Sequence, residues 1–144
     1  MKKIGLPTIV AVFTFFVSIA YAQTGTIYVK ISGIKDIKGL MSIGLYSDEK
    51  RFPDKGKEYK GIDVKVNDQT VVYTFKDVPF GTYAIAIFHD TNSNTKLDKN
   101  FLGIPKEGYA FSKNVFGALG LPPSFKNASF QVAGNKTVRI KMEY

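Results

Sequence analysis

The stretch TYAIAIFH, residues 82–89, is apolar on both faces of the strand that it predicts. Its odd positions carry Tyr83, Ile85 and Ile87, while positions 84, 86 and 88 are alanine or phenylalanine. A strand with two apolar faces is typical of the centre of a sheet that is covered on both sides. This stretch therefore predicts a central strand, and it favours a layered fold around it.

Six further short strands are predicted on either side of this central one, because apolar and polar residues alternate with a period of two. The segment 36–39 is expected to join the first two strands into a hairpin, and residues 134–135 to join the last two. Many short strands with closely spaced turns favour an all-β, seven-stranded antiparallel β-sandwich. The predicted strands are residues 26–34, 40–47, 62–66, 70–76, 82–89, 130–133 and 137–142.

The N-terminal segment has the pattern of a secretory signal peptide. Lys2 and Lys3 precede an apolar run at 9–19, and the small-x-small sequence Ala-Tyr-Ala ends at Ala22. Eleven apolar residues are too few for a spanning helix, which needs about 20. We therefore expect a signal peptide at 1–22 and a single domain at 23–144. No later segment is long and apolar enough to span a membrane, which leaves the mature chain periplasmic or extracellular.

The cysteine content and the net charge indicate the cellular compartment and the kind of partner. The chain contains no cysteine, so disulfides cannot stabilise it, and an exported protein without disulfides fits a bacterial periplasm or outer surface. The formal net charge is +8. Part of the excess lies in the segment 50–60, which is either a solvated loop or a patch for anionic lipid or polysaccharide. Export argues against nucleic acid and favours a cell-envelope protein or polysaccharide as the partner.

A long connection, at about residues 90–127, separates the fifth and sixth predicted strands. Compact domains rarely contain so long a connection without a function. Its own apolar residues predict an ordered loop that folds over one end of the sandwich, with one helical turn near 113–119. Those residues are Phe101, Leu102, Ile104, Tyr109, Phe111, Val115 and Phe116.

The start of this connection has the spacing of a calcium-binding loop. Asp90, Asn92, Asn94 and Asp98 occupy alternating positions, as the oxygen ligands of an EF-hand-type loop do. Lys96 would contribute its backbone carbonyl, which any residue can supply.

Position 12 of such a loop should be an acid, but Phe101 stands there, and Glu107 is the nearest later acid and a further candidate ligand. We expect bound Ca²⁺ with a Kd of roughly 10⁻⁴ to 10⁻³ M. The alternative is a series of Asx turns without an ion.

No catalytic constellation is evident. His89 is the only histidine, and a histidine at a strand end more often orients a loop than acts as a base. Ser112 and Ser124 have no recognisable activating partner. Zinc is not expected with one histidine and no cysteine. A pair of carboxylates, Glu107 with Asp98 or Asp90, leaves a glycosidase-like hydrolase as a remote alternative.

Several sequence segments resemble the bacterial domain-of-unknown-function family 2141, whose members are small exported proteins. The resemblance covers about residues 25–144 and implies an immunoglobulin-like or transthyretin-like sandwich with no established activity. The family pattern usually has glycines within the Asp-Asn-Asn loop, where this chain has Ser93 and Thr95. The matching segments are residues 75–84, 89–94, 97–98, 103–112 and 123–130.

The sequence thus predicts an exported, non-enzymatic module that acts in binding or as a cell-envelope accessory protein. A second hypothesis is a carbohydrate- or peptide-binding domain that uses Tyr109, Phe111 and Phe116 as an aromatic platform. The same rings would otherwise fix the long connection to the core. A third hypothesis is a hydrolase that uses Glu107 or His89.

Overall fold

The computed structural model describes residues 22–144. The predicted signal peptide lies outside these residues apart from Ala22, its last position. Across the described residues, no helix is both long and apolar enough to cross a bilayer.

The described chain is all-β, with eight strands in two sheets. Each of the seven predicted strands is present, and the eighth is a three-residue strand inside the long connection. The strands are β1 Thr24–Ser32, β2 Leu40–Tyr46, β3 Lys60–Lys65, β4 Val71–Pro79, β5 Gly81–Asp90, β6 Tyr109–Phe111, β7 Phe130–Val132 and β8 Lys136–Lys141.

The smaller sheet has the order β4-β1-β8, and the larger one has the order β3-β2-β5-β6, with β7 also paired to β5. The prediction that residues 82–89 form a central strand is confirmed, since β5 pairs with β2, β6 and β7. Its two apolar faces have different neighbours. One faces the core between the sheets, and the other is covered in part by loops.

Both predicted hairpins are wrong. β1 pairs with β4 and β8, whereas β2 pairs with β3 and β5, so the segment between β1 and β2 crosses from one sheet to the other. Gly33 and Gly39, with φ of 75° and 71°, allow the turns at its two ends. Similarly, β7 joins β5 while β8 joins β1. Alternation identifies which face of a strand is buried but not which strand is its neighbour.

The fold is also not wholly antiparallel, because β8 runs parallel to β1, with Val29 paired to Val138. The short β7–β8 connection carries the chain from one sheet to the other, so β8 enters the smaller sheet beside β1 instead of folding back on β7.

One hydrophobic core lies between the sheets. Ile27, Val29 and Ile31 of β1 are fully buried and face the buried residues of β2 and β5. Burying one such aliphatic side chain contributes roughly 1.5–3 kcal/mol. This alternation is the pattern that made the strands predictable.

A second apolar cluster lies on the outer face of the larger sheet. Phe52 makes edge-to-face contacts with Tyr46, Phe111 and Phe125, at centroid distances of 5.4, 5.8 and 5.9 Å. It therefore fixes the 47–59 loop and the long connection against the sheet.

The helical turn expected near 113–119 is replaced by two 3-10 turns, Ser112–Asn114 and Ala118–Gly120. Lys113 and Leu119 have φ of 66° and 56°, which a continuous helix does not allow. A four-residue helix, α1 Phe125–Ala128, ends the connection and begins with Ser124 as its N-cap.

Candidate functional site

Asp90 ends β5 and organises the loop that follows. Its side chain is 1% exposed. One carboxylate oxygen accepts the N–H of Asn94 at 3.0 Å, and the other accepts the N–H of Thr95 at 2.7 Å. Charge-assisted bonds of this kind stabilise a turn strongly, so Asp90 fixes where the loop reverses.

The four predicted side-chain ligands belong to one hydrogen-bonded network, in which the amide N–H groups of Asn92 and Asn94, and not their oxygens, face Asp98. The Asp98 carboxylate accepts from Nδ2 of Asn92 at 2.7 Å and from Nδ2 of Asn94 at 3.1 Å. The Asn92 oxygen accepts the N–H of Asn94 at 3.0 Å, and the Asn94 oxygen accepts the N–H of Lys96 at 2.9 Å. These bonds are those of successive Asx turns.

The loop adopts its tight turns without glycine. Ser93 and Thr95 have φ of 59° and 67°, in the left-handed region that glycine usually occupies. Thr95 is the more strained of the two because it is β-branched.

Glu107 connects the two ends of the loop through Thr91 and the backbone of Asp98, without a hydrogen bond to the side chains of this network. It is 7% exposed. Oε1 accepts the N–H of Thr91 at 2.9 Å and its hydroxyl at 3.1 Å, while Oε2 accepts the N–H of Asp98 at 3.1 Å. Both carboxylate oxygens therefore already serve the backbone.

The side-chain oxygens of the loop are occupied by N–H donors, so a cation would have to displace the amide groups of Asn92 and Asn94 from Asp98. One Asp98 oxygen already accepts two hydrogen bonds, whereas the amide oxygens of Asn92 and Asn94 accept one each and keep a second lone pair. Within residues 22–144, no group of three or more histidine, cysteine or acidic residues is placed to hold a metal. Any ion would thus depend on two carboxylates, two amides and the backbone carbonyl of Lys96.

His89 is fully buried at the end of β5. Its Nε2 lies 2.8 Å from the carbonyl oxygen of Lys38, and its Nδ1 lies 2.8 Å from the hydroxyl of Tyr144. A carbonyl can only accept, so Nε2 donates, and in the neutral ring Nδ1 then accepts from the phenol. The Tyr144 oxygen accepts in turn from the N–H of Lys35 at 3.2 Å. His89 therefore orients the chain around it.

The two candidate serines also have structural contacts. The Ser112 hydroxyl is buried, accepts the N–H of Ile85 at 2.9 Å and donates to the carbonyl of Ala128 at 2.6 Å. Ser124 caps α1 by accepting from Asn127.

The outer face of the larger sheet contains a groove that the sequence interpretation missed. Its volume is about 580 Å³. Ser42, Gly44 and Ala86 form its floor, and the register places Gly44 directly opposite Ala86. The available signal was a row of small residues on the outward positions of two neighbouring strands. The aromatic walls are Tyr46, Phe88, Tyr109 and Phe111.

The long connection supplies one side of the groove. Thr95, Lys96, Leu97 and Lys99 line it, so the loop that Asp90 organises is also a groove wall. Neither His89 nor Glu107 lines it.

The opposite side comes from the 47–59 loop. Lys55 Nζ lies 4.8 Å from the ring centroid of Phe88 and 3.1 Å from a carboxylate oxygen of Asp63. The Tyr46 hydroxyl donates to the carbonyl of Pro53 at 3.1 Å. Burial raises the pKa of Tyr46, and the nearby negative charge of Glu58 raises it further.

The predicted aromatic platform is an edge-packed cluster. Tyr109, Phe111 and Phe116 contact one another at centroid distances of 5.7–5.9 Å, with planes inclined by 72–79°. Such packing fixes the long connection to the sheet. Tyr109 and Phe111 nevertheless present part of their surface to the groove.

Comparison with known proteins agrees with the resemblance noted in the sequence. No curated protein and no solved structure matches the chain. The family described as "Uncharacterized protein conserved in bacteria (DUF2141)" matches residues 29–141, which include both the loop and the groove. The chain therefore belongs to this bacterial family.

Proposed function

We propose that this protein is a non-enzymatic binding module whose ligand occupies the groove on the larger sheet. The observation that carries the proposal is the groove itself, whose 580 Å³ lies within the 300–1,000 Å³ of small-molecule sites. Small residues on its floor leave space that larger side chains would fill. His89, Glu107 and Ser112, the groups best suited to catalysis, are engaged in hydrogen bonds that hold the chain.

A substitution that fills the groove tests this proposal. Ala86→Leu places a larger side chain on the floor, and Val72→Leu is the control on the exposed face of the smaller sheet. Melting temperatures are measured for both variants and the wild type with a panel of oligosaccharides, peptides and apolar acids, amines and alcohols. A ligand should raise the melting temperature of the wild type and Val72→Leu but not that of Ala86→Leu. Equal shifts in all three proteins, or no shift with any compound, would reject the groove as a ligand site.

We further propose that Ca²⁺ stabilises the loop that forms one groove wall. Support comes from the EF-hand-type spacing of Asp90, Asn92, Asn94 and Asp98 and from the contacts of both amides with Asp98. A bound cation would replace those amide N–H donors and draw the amide oxygens toward the Asp98 carboxylate. At about 1 mM Ca²⁺ and a Kd of about 10⁻⁴ M, binding adds roughly 1.4 kcal/mol. Calcium would thus hold the wall in place without taking part in chemistry.

Thermal melting in calcium and in chelator tests the ion. The wild type should melt at a higher temperature in millimolar Ca²⁺, and Asp98→Asn should lose most of that shift. Asp77→Asn is the control, since Asp77 is exposed near the end of β4, beside the start of β1 and at the other end of the strands from the loop. Identical melting of the wild type in calcium and in chelator would contradict the proposal.

The proposed setting is outside the cytoplasm, after cleavage between Ala22 and Gln23, with an immunoglobulin-like or transthyretin-like sandwich as the scaffold. Support comes from the signal-peptide pattern of residues 1–22 and from two sheets that share one core. N-terminal sequencing of the protein from a bacterial periplasmic extract tests this. A mature chain that begins at Gln23 is expected, and a chain that retains Met1 would contradict it.

A carbohydrate or peptide ligand is the alternative occupant. Exposed parts of Phe88 and Tyr109 beside the groove favour it, because sugars and peptides pack on aromatic rings. A glycan array read with the wild type and with Ala86→Leu tests this alternative, and binding lost only in the variant would support it.

A further inference from the structure

The floor of the groove contains a hydroxyl group, that of Ser42, that makes no hydrogen bond within the described part of the chain. Ser42 is 7% exposed and lines the groove. Its hydroxyl has no hydrogen-bond partner in the described part of the chain. Every fully buried side-chain nitrogen and oxygen there is satisfied, so the Ser42 hydroxyl must reach the groove itself. It is therefore available to a bound molecule.

Some of the charged side chains that line the groove are paired with other residues, and some are not. Of its acids, Asp54 pairs with Lys57 at 2.8 Å, and Glu58 accepts the N–H of Gly56. Lys55 is partly neutralised by Asp63. Lys96 and Lys99 form no ion pair with any described residue. The lining charges that no described ion pair offsets are those of Glu58, Lys96 and Lys99, and their sum is positive.

The space between these polar groups is mainly apolar. Phe88, Leu97 and Tyr109 supply ring and aliphatic surface to the groove that Ser42, Lys96 and Lys99 also line. A fully polar ligand would leave this surface unused, and a neutral apolar one would leave the lysines without a counter-charge.

We propose that the groove takes an amphipathic carboxylate, with an apolar body against Phe88 and Tyr109 and its charged group reached by Lys96 and Lys99. The Ser42 hydroxyl hydrogen-bonds to a polar atom of the same ligand. This assignment rests on the proposed function, because it names the ligand class of the same groove. Both a linear fatty acid and an aromatic acid have this chemistry.

Calorimetric titration of the mature protein compares four probes: decanoate, 4-phenylbutyrate, decanol and decyltrimethylammonium. The first two separate the linear from the aromatic source. At least one carboxylate should bind, and the neutral and cationic probes should bind about tenfold more weakly or less. Equal affinity for decanol would overturn the carboxylate assignment.

Variants locate the bound group. Lys96→Gln with Lys99→Gln should weaken carboxylate binding about tenfold, since two exposed ion pairs are lost. Ser42→Ala should weaken binding about threefold or more, as expected for one lost hydrogen bond. Lys30→Gln with Lys136→Gln, on the smaller sheet, is the charge-matched control and should leave the affinity unchanged. An equal loss in both lysine pairs would show that only net charge matters and would overturn the assignment.

The outcomes separate this inference from the proposed function. Decanol that binds as tightly as decanoate, and only while Ala86 is intact, rejects the carboxylate but retains the groove. Decanoate that binds Ala86→Leu as well as the wild type rejects both. Failure of all four probes overturns this inference, while the wider ligand panel still decides the proposed function.

Discussion

Nδ1 of His89 accepts a hydrogen bond from the hydroxyl of Tyr144 at 2.8 Å, which joins the end of β5 to the end of the chain across 55 residues. Because Nε2 of the same ring donates to the carbonyl of Lys38, one buried imidazole connects three separate segments. His89, the only histidine, therefore has a structural role next to the Asp90 loop, residues 90–98.

Removal of the Tyr144 hydroxyl should destabilise the fold. Tyr144→Phe leaves Nδ1 of a buried imidazole unsatisfied, which costs about 1–3 kcal/mol. Denaturant unfolding measures the loss. Tyr28→Phe is a close control, since the two tyrosines are 43% and 44% exposed and no described residue bonds the Tyr28 hydroxyl. Equal stability of the two variants would contradict the role given to the His89–Tyr144 bond.

Glu107→Gln should loosen the Asp90 loop. A glutamine has one acceptor oxygen, so the N–H of Thr91 or that of Asp98 loses its partner, at a cost of about 1.5–3 kcal/mol. Amide hydrogen exchange should accelerate at Thr91 and Asp98. Glu143→Gln, an exposed change of the same charge, is the control. Unchanged exchange at both amides in Glu107→Gln would refute the connection through Glu107.

Thr95→Gly should stabilise the protein. Thr95 has φ of 67°, where a β-branched residue is strained by about 1–2 kcal/mol and glycine is not. Glycine gains entropy in the unfolded chain, so we expect a net increase of about 0.5 kcal/mol in the free energy of unfolding. Thr137→Gly, in the extended strand β8, should lower that free energy. A loss of the same size in both variants would mean that strain at Thr95 is absent.

The raised pKa of Tyr46 predicts that the folded protein loses stability at high pH. Burial raises the pKa of Tyr46 in the folded protein above its value of about 10 in the unfolded chain. The folded state therefore holds the proton more tightly, and its stability is fully present below pH 10 and falls as the pH rises further.

Tyr46→Phe removes this titration while Tyr83 and Tyr144, whose pKa values burial also raises, remain. The stability of the wild type should fall more steeply than that of Tyr46→Phe between about pH 10 and 11.5, as measured by denaturant unfolding. Parallel pH profiles would contradict the shift at Tyr46.

Strand positions were predictable because alternation at residues such as Ile27, Val29 and Ile31 records which side faces the core. Strand partners were not, since the same alternation fits either sheet, and both hairpins were therefore assigned wrongly. The three residues of β6 are too few to give a period. β6 pairs with β5, and its Phe111 packs against Phe52, both contacts between distant segments that no local pattern records.

In the candidate site, too, local contacts could be predicted from the sequence and contacts between strands could not. The proximity of Asp90 and Asp98 followed from their spacing, because the contacts are local. The groove depends on the alignment of Gly44 with Ala86, two small residues in different strands with no chemical signature of their own. Only the register of β2 and β5 brings them together.

The most direct test of the central claim is a map of ligand-induced chemical shifts in the isotope-labelled mature protein. Titration with decanoate should move the amide signals of Ser42, Gly44 and Ala86, on the floor of the groove, and leave those of Lys30 and Val72 in place. Shifts confined to Lys30, Val72 and their neighbours on the smaller sheet would contradict the account.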